Sequence, residues 1–465
     1  MGLLRGNDDV IGIRCCWGDF MGWVKNKMRS WLEIVPIDSV AGVAVLSDAD
    51  FEREVFRNKI WHRGMPAELA GFYGGVDDLV GNRSFWAEGG RNPKIRKMHS
   101  GLPALMVDVL ADVTLGDFLG IKVCDNEELW GEIALENGFD GLLARAVRTV
   151  LALGDGAFRI SFDGDLSPLP IIEFFGGDGV RFNYHRGRLC EVVFIHDGVE
   201  EIYHKNGIRY EVTREGVQKP ADITHDLGVI LAVPVLFDEN PRFAGRGKSV
   251  YDGKTHAFDA LDEVISQWVD ALRDGRVQKY IPSGMLPRDP KTGEMRGMSG
   301  FETRFVQTQM DLAEGADNGV KVVQPTIDTN ALEVSFAGFL NLALQGIIAP
   351  ATLGIDLKRN DNAAAQRERE KATLYTRGRI IDGLRRVLSQ LVNTVLIAHG
   401  GENGTHQVTV EFGEYATPTF DAQIESIAKG VAAGIISHHT AVNQLYGDTW
   451  TDEQKAAEVE RLRGE

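Results

Sequence analysis

Apolar positions between Ser249 and Leu396 recur at helical spacing in three blocks, separated by two stretches that lack the period. In the first block, HAFDALDEVISQWVDALRDG, residues Phe258, Leu261, Val264, Ile265, Trp268 and Leu272 share one face, and the pattern assigns Asp259, Asp262, Glu263 and Asp270 to the others. Gly275 stops this helix. After roughly fifty turn-rich residues, a second helix opens at Asn330, whose side chain caps the backbone, with Glu333 in capping-box position. It continues through Phe336, Phe339, Leu340, Leu342 and Leu344. Two helices of about 30 Å with a short insert between them predict an antiparallel pair carrying a small β domain at its tip. The third block, residues 363–398, keeps Ile380, Leu384, Val387, Leu388, Leu391 and Val395 on one stripe; Arg367, Arg369, Lys371, Arg377, Arg379, Arg385 and Arg386 fall elsewhere.

Upstream the period changes. Residues 102–118 and 126–153 read as helices, and residues 40–100 read as irregular, with Gly74-Gly75 and Gly89-Gly90 marking loops. From Ala157 to Phe237 the alternation is strand-like, in AFRISFD, PIIEFF, CEVVFIHD, EEIYH and GIRYEVT, and Asn206-Gly207 is a two-residue hairpin signal. QVTVEF at 407–412 is expected to rejoin this antiparallel sheet. The fold class is α+β. Residues 1–20 show no period, and 21–32 place Met21, Val24, Met28, Trp31 and Leu32 beside Lys25, Lys27 and Arg29. Such a short basic amphipathic helix suits packing on a neighbouring subunit better than a membrane surface.

Composition narrows the function classes. With 43% hydrophobic and 25% charged residues the chain can bury a core. Its net charge of -17 makes it a poor clamp for nucleic acid, which proteins grip through many Lys and Arg contacts, but a plausible conduit. Cys15, Cys16, Cys124 and Cys190 form no C-x-x-C pair, so no disulfide framework is expected. MGLLRG has Gly6 where a myristoylation signal needs Ser or Thr, and Asp8 and Asp9 interrupt any signal-peptide core, an expectation of residence in the cytoplasm where the chain is made.

Candidate chemistry is sparse. Gly247-Lys248-Ser249 follows the apolar run VILAVPVLF and suggests an ATP-driven motor, but a phosphate loop needs a Gly five residues before the Gly-Lys pair and Arg242 stands there. The eleven histidines include the adjacent His438 and His439 and show no convincing metal spacing. No catalytic residue, cofactor or metal is expected. Val334 to Ile355 is uncharged over the length of a membrane span, which raises a pore-forming membrane protein as a second alternative. Ser335, Asn341, Gln345, Thr352 and Pro350 make it a poor insertion sequence, and burial between subunits explains it better. Pro350 is expected to end or kink the helix.

Several strings in this order resemble tailed-bacteriophage portal proteins, the ring-shaped head-to-tail connectors. GKSVYDGKTHAFDALDEVISQ is similar to the lead-in to that family's first stem helix, and VKVVQPTIDTNAL to its passage from clip to second stem helix. APATLGIDLKRNDNAAAQRERE resembles the tunnel loop, although Asn362-Ala363-Ala364-Ala365-Gln366 stands where relatives carry Ser/Thr-Ala-x-Glu. GIISHHTAVNQLYGDTWTDEQKAAEVERL resembles the C-terminal segment, with Thr451 and Gln454 placed as a capping box, while KIRKMHSGLPALMVDVLADV and LENGFDGLLARAVRTVLALGDGAFRI resemble the wing.

The resemblance implies a ring subunit with an N-terminal arm (1–40), an α+β wing (41–253), a helical stem (254–276 and 329–349) and a small β-rich clip (277–328). A tunnel loop plus long helix (350–398), a return strand of the wing (399–420) and a helical crown (421–465) complete it. The ring, of about a dozen copies, is the DNA channel at one capsid vertex of a virion, assembled in the host cytoplasm. Its implied partners are copies of itself, double-stranded DNA passing non-specifically, the large terminase, a head-completion or tail adaptor protein, and the major capsid and scaffolding proteins. Lys358, Arg359, Asn360 and Asn362 are then the tunnel-loop residues that meet DNA, and Lys358 and Arg359 would contact phosphates without reading sequence. Phe258, Leu261, Trp268, Phe336, Phe339 and Leu340 are stem-interface candidates, and Arg288, Lys291, Arg296 and Phe301 are candidates for motor docking at the clip. The long helix's arginines are expected to pair mostly with carboxylates of the next subunit, and the clip strands to pair edge to edge between subunits.

Overall fold

The computed structural model describes residues 48–80, 84–87, 95–124, 126–214, 219–282, 291, 304–308, 320–355, 363–400, 406–413, 420–446 and 450–463. It is α+β, mixed helix and sheet. The stretch expected to be irregular instead opens with two helices, α1 (Asp48–Arg63) and α2 (Pro66–Val80). Phe51, Val55 and Trp61 of α1 are buried at helical spacing, and the polar Asn58 on the same side is buried with them, which masks the period in the sequence. Helix α3 (Leu102–Leu115), with Pro103 in its first turn, ends short of 118 because Phe118 opens strand β1 (Phe118–Val123).

The segment 126–153 forms two helices, α4 (Glu127–Glu136) and α5 (Phe139–Leu153). Between them Gly138 takes φ 55, and the Asn137 amide donates to the Ile133 and Pro170 carbonyls while its oxygen accepts from the Ile172 amide. One side chain thus closes a helix and starts a strand. Helix α5 buries Phe139, Leu142, Leu143, Ala146, Val147, Val150 and Leu151, and forms the centre of the core.

Strands β2 (Asp155–Ser161), β3 (Ile171–Gly176), β4 (Val180–His185), β5 (Arg188–His196), β6 (Val199–His204), β7 (Gly207–Val212), β8 (Ile223–Thr224) and β9 (Ala232–Leu236) follow. They build an antiparallel sheet ordered β3-β2-β9 and a five-stranded meander β4-β5-β6-β7-β8. The β6–β7 loop is Lys205-Asn206, one residue earlier than expected, because Gly207 pairs with His204. Gly207 is needed for a different reason: a Cβ there would overlap the Ile223 carbonyl of β8.

Next come α6 (Thr255–Asp274), strands β10 (Gln278–Pro282), β11 (Arg304–Thr308) and β12 (Lys321–Val323), and α7 (Thr329–Leu344). β10 is central, parallel to β11 and antiparallel to β12. The cap of α7 is Asp328, whose carboxylate accepts from the Ala331 amide at 3.0 Å; Asn330 lies inside the first turn. The helix stops at Leu344, Gly346 takes φ 77, and Pro350 begins a 3-10 turn, so the chain turns before the proline is reached.

Helix α8 (Ala363–Gly400) is 38 residues, about 57 Å. All six residues of its expected stripe are buried. Strand β13 (Val408–Phe412) pairs with β1 and not with the meander. Helices α9 (Phe420–Ala432), α10 (His438–Tyr446) and α11 (Asp452–Arg463) follow. The chain divides into two compact units, the second comprising Asp117–Leu119 and Phe412–Glu465. In that unit the Phe118 and Phe412 rings meet at 5.3 Å, and Thr451 and Gln454 exchange backbone bonds as a capping box, at 3.0 and 3.5 Å.

Candidate functional site

The α6–α7 helix pair is anchored through acids that the periodicity placed on solvent faces. Asp262 is fully buried and accepts from the Ser100 amide at 2.8 Å, His99 Nδ1 at 2.8 Å and Trp86 Nε1 at 3.2 Å. Asp259 accepts from the Phe85 and Trp86 amides, and burial pushes its carboxyl above the usual range. Ser266 Oγ accepts from the Met98 amide at 2.9 Å. Around these bonds the Trp61 and Tyr251 rings close on Phe258, with centroids 5.7 and 5.8 Å away. Asp262 is four residues after Phe258 and four before Ser266, so it lies on the buried side of the helix. That spacing was the available signal.

Helix α7 is tied in at its end. Lys254 Nζ donates to the carbonyls of Leu342 and Gln345 at 3.0 and 2.8 Å, satisfying C-terminal acceptors of α7. Burial, and secondarily Lys248, hold the Lys254 pKa below its ordinary value.

Of the expected stem-interface residues, Phe258, Leu261 and Leu340 are enclosed by the chain itself. Trp268 and Phe336 meet edge-on at 6.4 Å between the helices, and both are half-buried, as is Phe339. Uncovered apolar surface lies on other residues of the pair: Leu272 of α6 is 52% exposed, and on α7 Val334 is 64% exposed and Leu342 50%. Gly338 is midway between the last two, four residues from each, and a Cβ built there would touch nothing within 4 Å. Only Leu340, Ala343 and Leu344 of this sixteen-residue helix are buried. Of the clip residues, Lys291 is exposed, while Arg288, Arg296 and Phe301 lie outside the described residues, as do Lys358, Arg359, Asn360, Asn362 and the 21–32 segment.

The Gly247-Lys248-Ser249 segment has all its backbone donors in use. The Gly247 amide donates to Asp155 Oδ2 at 2.8 Å, Lys248 to the Asp238 carbonyl at 2.9 Å, and Ser249 to Asp252 Oδ2 at 3.1 Å. Ser249 Oγ donates to the Ala152 carbonyl at 2.6 Å. A phosphate needs such amides free, and here carboxylates of the same chain hold two of them. Gly247 is required because its Cα lies against the Gly154 carbonyl. Beside it the buried Arg246 reaches Asp155 through Nε and Nη2 at 2.8 and 3.0 Å and stacks over Phe51 at 4.0 Å. Burial pushes the Asp155 carboxyl upward against the pull of Arg246. The segment is a structural clasp between β2 and the lead-in to α6.

Arginines of α8 expected to seek a neighbouring copy find partners in their own chain. Arg379 reaches Asp238 at 3.0 Å, Arg377 the Val113 carbonyl at 3.2 Å, and Arg386 the Asp382 carbonyl at 3.4 Å. Asp238 and Val113 come within reach only through the fold, whereas Asp382 is one turn back on the same helix. Among the described residues no helix is long and apolar enough to cross a membrane, and α7 takes up only part of the uncharged Val334–Ile355 stretch. Among the same residues no group of three or more His, Cys, Asp or Glu is placed to hold a metal.

No protein-family model matches the chain, and no curated protein matches it. Solved structures similar to it include a chain of the virion of a native gene transfer agent (GTA) particle, 15% identical, with a TM-score of 0.44, covering 77% of this chain and 89% of that one. A chain of the neck of the native GTA particle computed with C12 symmetry is 14% identical, with a TM-score of 0.39 over 77% and 89%. One from the neck of the empty GTA particle computed with C6 symmetry is 16% identical, with a TM-score of 0.41 over 76% and 90%.

Proposed function

We propose that the chain is a non-enzymatic portal subunit of a phage-like virion, forming a ring at one capsid vertex through which double-stranded DNA is packaged and ejected. The observation that carries this reading is α7, an apolar helix with a single charge, Glu333, and only three of sixteen residues buried by its own chain. Leaving Val334 and Leu342 in water forgoes about 1 kcal/mol each at their degree of exposure. A mid-helix Gly338 that nothing in the chain requires costs about as much again. Both features make sense where a second helix approaches closely along this face.

A stem that packs side by side with copies of itself closes into a ring when the contact is heterologous. The acidic balance of -17 per copy gives the lumen of such a ring a repulsive wall, along which DNA slides. The partners follow from that role: the terminase motor at the β10–β12 end of the stem during packaging, the tail adaptor there later, and capsid and scaffolding proteins around the ring.

Native mass spectrometry with negative-stain imaging tests the reading. Rings of about a dozen copies are expected, together with their loss in Leu342→Asp, a change at a half-exposed position that leaves the monomer folded. A wild type that stays monomeric at high concentration and with capsid or scaffolding protein present would refute it.

A further inference from the structure

One end of the five-stranded meander is an arm of basic side chains. The β4–β5 hairpin carries His185, Arg186 and Arg188, and the neighbouring β6–β7 loop carries Lys205; all four are exposed. Among the described residues none of Arg186, Arg188 and Lys205 stands within ion-pair distance of a carboxylate. Elsewhere the same sheet pairs its charges, as Arg181 does with Glu52 and Glu200, and Arg209 with Glu211. The two loops share an end of the sheet two strand spacings apart, roughly 10 Å. β5 runs on past Glu191, which faces the last residue of β6, so the arm projects about 10 Å beyond its neighbour. Tyr184 steadies it by packing against Gly245, where a Cβ would strike the ring.

The turn chemistry separates the arm's role from folding. Arg186 and Gly187 both take positive φ, 50 and 75. At the opposite end of the sheet the same kind of turn is made by Asp197 and Gly198, at φ 50 and 82, with the Asp-Gly pair such turns favour. An arginine at the strained position is not what the hairpin itself selects, and it places a guanidinium at the outermost point of the arm.

A complementary surface exists on another part of the same chain. Helix α4 exposes Glu128, Glu132 and Glu136 at successive four-residue steps, a repulsive arrangement within one helix. Beside them Leu135 is 85% exposed. Among the described residues none of the three glutamates has an ion-pair partner. We infer that the basic arm of one copy docks on the acidic face of α4 of the next copy. The two patches are different surfaces of one chain, and such a contact is heterologous, the kind that propagates around a ring where a self-complementary patch would stop at a dimer. A protein partner fits better than nucleic acid because the chain as a whole, at -17, repels a polyanion. The inference rests on the ring reading above and adds the contact that fixes neighbours in register.

The test is a charge swap on the full chain. Arg186→Glu/Arg188→Glu/Lys205→Glu and Glu128→Lys/Glu132→Lys/Glu136→Lys are made separately and checked by circular dichroism for unchanged folding. Each is expected to lower the ring fraction at least about tenfold at about 0.15 M salt, and an equimolar mixture of the two to restore it, since every contact in an alternating ring is again opposite in charge. Rings that persist in both variants, or folded variants that do not recover on mixing, overturn this inference and leave the ring reading standing. Intact rings with lost DNA retention in the arm variant would assign the arm to a polyanion and also overturn it. A monomeric wild type removes both readings.

Discussion

At the scale of single residues, Asp262 decides how α6 is held. Its side chain is fully buried and accepts from three donors, and its removal leaves the Ser100 amide, Trp86 Nε1 and His99 Nδ1 without an acceptor. Asp262→Ala should cost about 3–5 kcal/mol, read as a lower urea midpoint at unchanged m value; a loss under about 1 kcal/mol would show the socket to be held by the rings alone. His62 gives a pH dependence. Its Nδ1 lies 2.9 Å from the Tyr251 hydroxyl, and burial lowers its pKa from 6.5, against the opposing pull of Asp108. The unfolded chain therefore binds the proton more readily than the fold. Stability is fully present above 6.5 and declines as the pH falls from there through the folded value. The urea midpoint should drop over that window, and His62→Gln should flatten the drop; an identical slope in the variant would rule this residue out as its source.

At the scale of elements, α7 stands between two demands. Gly338→Ala should raise the stability of the isolated monomer by about 0.5–1 kcal/mol, because the methyl meets open space and alanine favours the helix. On the proposed ring reading it should also reduce the assembled fraction, because the same methyl would meet the helix of the neighbouring copy. Thermal unfolding of dilute protein and the mass distribution at high concentration separate the two effects, and a gain in both would remove Gly338 from the interface. The α6–α7 pair was legible in the sequence because an amphipathic period survives over twenty residues without reference to the rest of the chain. Helix α1 was not, since its buried face includes Asn58, whose amide reaches Asp252, 194 residues away. The Asp328 cap was likewise displaced from Asn330 by where the chain happens to turn. The Thr451–Gln454 box needs only its own four residues, and it formed where the sequence placed it.

At the scale of the whole molecule, the sequence by itself determined the α+β class, the order of elements from the meander to the long helix, and the apolar stripe of α8. These depend on periodicity and composition, which are local and additive along the chain. Tertiary structure alone decided which polar groups would be buried and which apolar ones left bare. It turned Asp259 and Asp262 from surface charges into anchors, gave the amide of Gly247 to Asp155, and supplied partners to Arg377 and Arg379 from residues more than a hundred positions away. It also left Val334 and Leu342 uncovered, and exposed Arg186 and Glu132 on different elements. The physical reason is that desolvation is settled by every segment that closes over a side chain. A helical period can say that a face will be covered, but only the packed chain shows whether its own residues do so or leave that face to another molecule.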